Sequence, residues 1–97
     1  METVVVINPF EVPEGRRAEA LEAWDRMAAY MRRQDGFVSA RLHRSVDPRS
    51  RYAFVTVGEW ESPEQFTAAS RSDEFGELDR ALAEFPHSPG VYEVIRT

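Results

Sequence analysis

The chain is 97 residues long with a net charge of −5, twelve arginines, no lysine and no cysteine. This allows one domain, residues 1–97, and excludes disulfides, thiolate metal sites and Schiff-base lysine chemistry, while the acidity speaks against nucleic acid or anionic lipid as a partner. No apolar run reaches the ~18 residues of a membrane span and no basic-then-apolar leader opens the chain, so a cytoplasmic protein is expected.

Residues 3–7 (TVVVI) predict a first strand, ended by Asn8 and Pro9 because proline has no N–H for a ladder. From residue 14 the spacing turns helical: Leu21, Trp24, Ala28 and Met31 recur at intervals of three and four, with Met27 beside them. Gly36 suits the left-handed position after a helix end and stops this helix. Residues 37–44 (FVSARLHR) alternate as a strand, with Val38, Ala40 and Leu42 on one face and Phe37, Ser39, Arg41 and His43 on the other.

A turn over 47–50 (DPRS) leads into a strand over 51–60, rich in aromatic and β-branched residues. That strand runs directly into a helix. Ser62 caps it, Pro63 fits its first position, and Gln65 completes a capping box. The helix extends to about residue 70. Ser72 or Asp73 then caps a further helical segment to about residue 85, with Phe75, Leu78, Leu82 and Phe85 at helical spacing. A rigid link over 86–90 (PHSPG) precedes a last strand over 91–96.

The order β-α-β-β-α-β predicts an α+β, ferredoxin-like fold with a four-stranded antiparallel sheet. Its helices cover one face of the sheet. Yet Val4 and Val6, and equally Val5 and Ile7, are apolar on both sides of their strand, and Tyr52 and Phe54 oppose Ala53, Val55 and Val57 in the same way. A second copy is the expected cover, giving a homodimer with sheets face to face, a dimeric α+β barrel.

Several features together resemble the antibiotic biosynthesis monooxygenase domain family over nearly the whole chain. They are the Val-rich strand closed by Asn8, the Gly36-Phe37 step into Ser39-Ala40-Arg41-Leu42-His43, the run Glu59-Trp60-Glu61-Ser62-Pro63 with Phe66, and the turn Asp73-Glu74-Phe75. The resemblance implies the dimeric barrel but leaves the reaction open, since that fold hosts oxygenases, heme degraders, cyclases and isomerases. Members that oxidise polycyclic anthrones without a cofactor carry a His on strand two, an Asn four residues before the Trp and a Tyr six residues after it. His43 and Trp60 match; Thr56 and Phe66 depart. Members that degrade heme use an Asn closing strand one, the same Trp and a His ligand on the second helical segment. Asn8 and Trp60 match, but the ligand position falls at about Asp79, whose carboxylate suits heme iron poorly.

What the resemblance implies first is a cofactor-independent monooxygenase acting with O2 on a polycyclic aromatic, anthrone- or quinol-like substrate in antibiotic or polyketide metabolism. A cofactor-free cyclase or isomerase, and a non-catalytic small-molecule-binding dimer, stay open as alternatives, with heme degradation last. Such an oxygenation needs a base, a dry aromatic pocket and donors that steady an anion. Trp60, at the joint of strand and helix, is the expected pocket wall, or else an ordinary core aromatic. His43 is the expected base, because a neutral imidazole accepts a proton near pH 7, or else a surface strand residue. Asn8 and Arg41 are expected to orient oxygens. Phe54, Thr56, Phe66, Trp24 and one of Asp79 and Arg80 complete the expected lining. His87 reads as a lid residue or an inert loop histidine. The sequence offers no metal constellation, nucleophile-serine motif or phosphate loop.

Overall fold

The computed structural model describes residues 3–97. They form β1 (Val4–Phe10), a short 3-10 turn (Glu14–Arg16), α1 (Arg17–Met31), β2 (Phe37–Arg44), β3 (Phe54–Trp60), α2 (Pro63–Ala69), α3 (Asp73–Leu82) and β4 (Gly90–Tyr92). The sheet order is β2-β3-β1-β4 with every neighbouring pair antiparallel, the predicted ferredoxin-like arrangement. No helix among the described residues is long and apolar enough to cross a membrane.

All four strands differ from expectation, β3 in beginning at Phe54 rather than at residue 51. β1 does not stop at Asn8 but runs through Pro9 to Phe10, pairing Asn8 with Thr56 and Pro9 with Val55. Proline is tolerated there because the ladder with β4 covers only Val5 to Ile7 and pairing on that side resumes only at the isolated Phe10–His87 bridge, so Pro9 sits in a gap between the two. β4 ends at Tyr92 rather than Arg96. The pairing with β1 ends at Tyr92↔Val5, and beyond it Val94 is 65% and Ile95 73% exposed. In β2 the register steps from Phe37↔Trp60 to Ser39↔Glu59, leaving Val38 as the extra residue of a β-bulge. The bulge reverses the alternation, so Phe37 packs on Trp60 from the same face as Ala40, and Val38 is the exposed residue.

The helices pack on one face of the sheet. α1 presents Ala20, Ala23, Met27 and Tyr30 to the cluster that holds Phe10 and Phe54; Leu21, expected on this stripe, is 40% exposed at its margin. The Tyr30 hydroxyl donates to Ala69 O at 2.7 Å, which satisfies a buried polar group and ties α1 to the end of α2. The apolar side chains divide into two clusters. One gathers Phe10, Met27, Tyr30, Phe54, Leu82 and Phe85; the other gathers Val6, Trp60 and Ala69, with Phe37 and Phe66 against it.

The turn from β3 into α2 is held as the sequence suggests, with one change of partner. Ser62 Oγ accepts from the Gln65 N–H at 3.2 Å, and its own hydroxyl donates to Gln65 Oε1 at 2.9 Å. Gln65 therefore closes the box on the capping hydroxyl, an arrangement of the kind that contributes about 1 kcal/mol. Gly36, at φ +90°, packs against this turn: a Cβ there would lie 2.5 Å from Gln65 Cδ. Its carbonyl accepts the Glu61 N–H at 2.8 Å. These contacts fix the chain on both sides of Trp60. Ser72 caps α3, accepting from the Phe75 N–H at 3.0 Å.

Candidate active site

Between the two apolar clusters lies a cavity of about 130 Å³. β1 supplies Val6, Asn8 and Phe10; β3 supplies Thr56, Gly58 and Trp60; α1 supplies Trp24, Met27, Ala28 and Met31. Phe37 and Ala40 of β2, Phe66 of α2, and Phe75, Asp79 and Leu82 of α3 close the walls, and His87 and Pro89 come from the link after α3. The void therefore opens along the seam of the core, where large side chains alternate with Gly58, Ala28 and Ala40.

Trp60 is 3% exposed and held edge-to-face by Phe37 and Phe66, each with ring centroids 5.5 Å away. Its indole Nε1–H has no hydrogen-bond partner among the described residues, so the donor is available to a molecule in the cavity. The register sets Asn8 directly across from Thr56 on the cavity side of the sheet. Thr56 Oγ1 accepts the Trp24 Nε1–H at 2.9 Å, which leaves its own O–H free to turn towards the cavity. Asn8 Oδ1 is buried without a hydrogen-bond partner among the described residues. Such an acceptor costs stability unless something supplies a donor.

Two titratable side chains line the cavity, Asp79 and His87. Asp79 faces it from α3, while its neighbour Arg80 is exposed and outside the lining, which resolves the pair left open by sequence. His87 is the residue that sequence reasoning undervalued. Its Nδ1 lies 2.7 Å from Phe85 O, and its ring stacks on Phe10 with centroids 4.9 Å apart at 29°. Phe10 and His87 also form an isolated β-bridge, and the Glu11 N–H donates to Pro86 O at 2.9 Å. Phe85 is 1% exposed, under the Arg16 guanidinium at 4.7 Å from its ring. Arg16 in turn bonds Glu19 and Glu84, whose carboxylates raise its pKa, the Glu19 hydrogen bond most. The link is thus tied to β1 and to the start of α1. The legible signal was the pair of prolines, Pro86 and Pro89, which restrict the backbone around a histidine.

The expected meeting of His43 with Trp60 does not occur. By register His43 pairs with Val55 and Arg41 with Val57, and those residues alternate with Thr56 and Gly58, so both side chains project from the opposite face of the sheet and are exposed. His43 Nδ1 contacts Val55 O at 3.2 Å on that face. Phe54 shares the face of Thr56 but lies past the cavity, 5% exposed in the larger cluster. Asn8, Trp24, Thr56, Trp60, Phe66 and Asp79 are brought together; His43, Arg41, Phe54 and Arg80 are not. No group of three or more His, Asp or Glu side chains is arranged to hold a metal ion among the described residues.

The chain is thus an α+β fold with a cavity between its helices and its sheet, walled in part by an indole at the end of β3. The family model for antibiotic biosynthesis monooxygenase matches residues 3–81, and the chain belongs to that family. A protein of Shewanella loihica is similar at 34% identity with a TM-score of 0.83, covering 99% of this chain and 97% of that one. SnoaB of Streptomyces nogalater, a cofactor-independent oxygenase, is similar at 26% identity with a TM-score of 0.87, covering 100% of this chain and 97% of that one. Protein SchA of Streptomyces halstedii is 29% identical over 91 residues, 94% of this chain but 23% of its own length, so the chain spans under a quarter of that curated relative.

Proposed function

We propose that the chain is a cofactor-independent oxygenase that takes a phenolic or enolic ring system into the cavity and oxidises it with O2. The observation that carries this reading is Asn8 Oδ1, a buried acceptor that no described residue satisfies, in a cavity that also holds the Thr56 hydroxyl and the Trp60 indole. It calls for a substrate bearing an O–H. The Thr56 hydroxyl and Trp60 Nε1–H then donate to the oxygen as it becomes anionic, in a mostly apolar lining where such donors act more strongly than in bulk water. The resemblance to SnoaB, itself a cofactor-independent oxygenase, supports the same reading.

The chemistry balances with no other reactant: a ring methylene and one O2 become a ring carbonyl and one water. Loss of a proton leaves an enolate, which transfers an electron to O2; radical recombination forms a C–O bond, and the resulting peroxide collapses to the carbonyl with loss of water. The protein binds the ring in the apolar cavity and steadies the anion. A void of this size is close to the ~150 Å³ that admits benzene in an engineered core, so a fused-ring anthrone or quinol is received with one end in the mouth. The reading includes a homodimer: Val5, Ile7, Val55 and Val57 form an apolar band on the uncovered sheet face, and a second copy is the cover that band fits.

The test is O2 uptake with a panel of anthrones and hydroquinones, with and without air and without added cofactor. Uptake matching substrate loss one for one is expected. No uptake on any substrate overturns the oxygenase. Turnover that ignores O2 points to a cyclase or isomerase, and tight binding without turnover to a binding dimer.

A further inference from the structure

We propose that His87, rather than His43, is the catalytic base of the cavity, its Nε2 taking the proton that activates the substrate. This rests on the reading above for the class of substrate, an enolisable or phenolic ring, and on separate geometry for the residue. A carbonyl oxygen only accepts, so the 2.7 Å contact with Phe85 O assigns the hydrogen to Nδ1. In the neutral ring the lone pair then sits on Nε2, which has no hydrogen-bond partner among the described residues, on a side chain that lines the cavity.

The ring is positioned as a general base must be. Stacking on Phe10, the bridge to β1 and the flanking prolines hold it in place, so little conformational freedom is lost when it meets substrate. Of the two titratable groups in the lining, the imidazole is the stronger base by residue type. In the step itself the substrate C–H or O–H bond breaks heterolytically, its electron pair stays as enolate or phenolate, and the proton moves to Nε2. After O2 has reacted, the imidazolium returns that proton to the peroxide oxygen. His43 has the same Nδ1-to-carbonyl arrangement but stands on the other face of the sheet, away from the lining.

Proton abstraction can be read without oxygen. Under strict anaerobiosis in heavy water, exchange of the acidic methylene of anthrone and of 2-tetralone is followed by NMR with wild type, His87→Gln, His87→Ala and His43→Ala. Wild type is expected to accelerate exchange over buffer. Both His87 variants are expected to lose that acceleration by about 10²-fold or more, the usual contribution of a general base. His43→Ala should keep it. Ligand affinity, read from quenching of tryptophan fluorescence, should change less than about threefold in His87→Gln, since the glutamine keeps bulk and a donor but accepts no proton. Free imidazole should restore part of the exchange in His87→Ala. Exchange that survives in His87→Gln, disappears in His43→Ala, or is absent from wild type overturns the proposal. Exchange that depends on His87 without any aerobic O2 uptake keeps the base and removes the oxygenase.

Discussion

On the helix-covered face of the sheet, Asn8, Thr56 and Trp60 alternate with small residues and leave a cavity; on the opposite face Val5, Ile7, Val55 and Val57 form an apolar band edged by Arg41 and His43. Each face carries a histidine whose Nδ1 is engaged by a backbone carbonyl. The difference lies in what surrounds the other nitrogen. His87 is set in a cavity with an unpaired acceptor and free donors, whereas His43 lies on a face whose central band is apolar. Residue type and tautomer are shared, and the two differ in which side of the sheet they occupy.

The largest expected effect that sharpens this contrast is on the cavity face. Trp60→Ala should lower unfolding free energy by about 3–5 kcal/mol, measured by urea denaturation, because it removes a buried indole packed between Phe37 and Phe66. A loss under about 1 kcal/mol would mean the indole is not part of the cluster. Next comes the opposite face. Val57→Glu places a charge in the apolar band and is expected to convert a dimer to a monomer by size-exclusion chromatography with light scattering, with helix content by circular dichroism unchanged. A wild-type monomer, or a variant that stays dimeric, would break that half of the comparison.

Smaller effects test the site more finely. Asn8→Leu removes an acceptor that no described residue satisfies, so stability should rise by about 1 kcal/mol while O2 uptake falls. Stabilisation with loss of activity is the signature of a polar group kept for a ligand; a fall in both would make Asn8 structural. Ser62→Ala, which removes the cap of α2, should cost about 1 kcal/mol and leave ligand binding within about twofold.

Much of the fold was legible because its signals are local. The cap at Ser62, the left-handed glycine at Gly36 and the alternation inside each strand all act over a few residues. The site was half legible. Asn8, Thr56 and Trp60 fall on one face because β1 and β3 alternate without interruption, and Trp24 follows from helical spacing; Phe66 and Asp79 rest on the family resemblance, Asp79 only as one of a pair with Arg80. What failed was the relation between strands. Alternation in β2 puts Arg41 and His43 together but says nothing of which face of β3 they share, and that depends on register. The bulge at Val38 is likewise invisible to a period of two, and it returned Phe37 to the cavity side. His87 was obscured for a different reason: it belongs to no periodic element, and its place is set by a bridge to Phe10 and a carbonyl at Phe85.

The central claim is that reaction occurs in the cavity between helices and sheet. Gly58 offers a direct way to fill it, since a side chain there would grow from the cavity wall with its Cβ only in ordinary contact, 3.4 Å from Ser39 O. O2 uptake should fall by at least about 10²-fold in Gly58→Val and stay within about twofold of wild type in His43→Ala, both proteins remaining folded. Uptake undiminished in Gly58→Val, or abolished in His43→Ala, would contradict it.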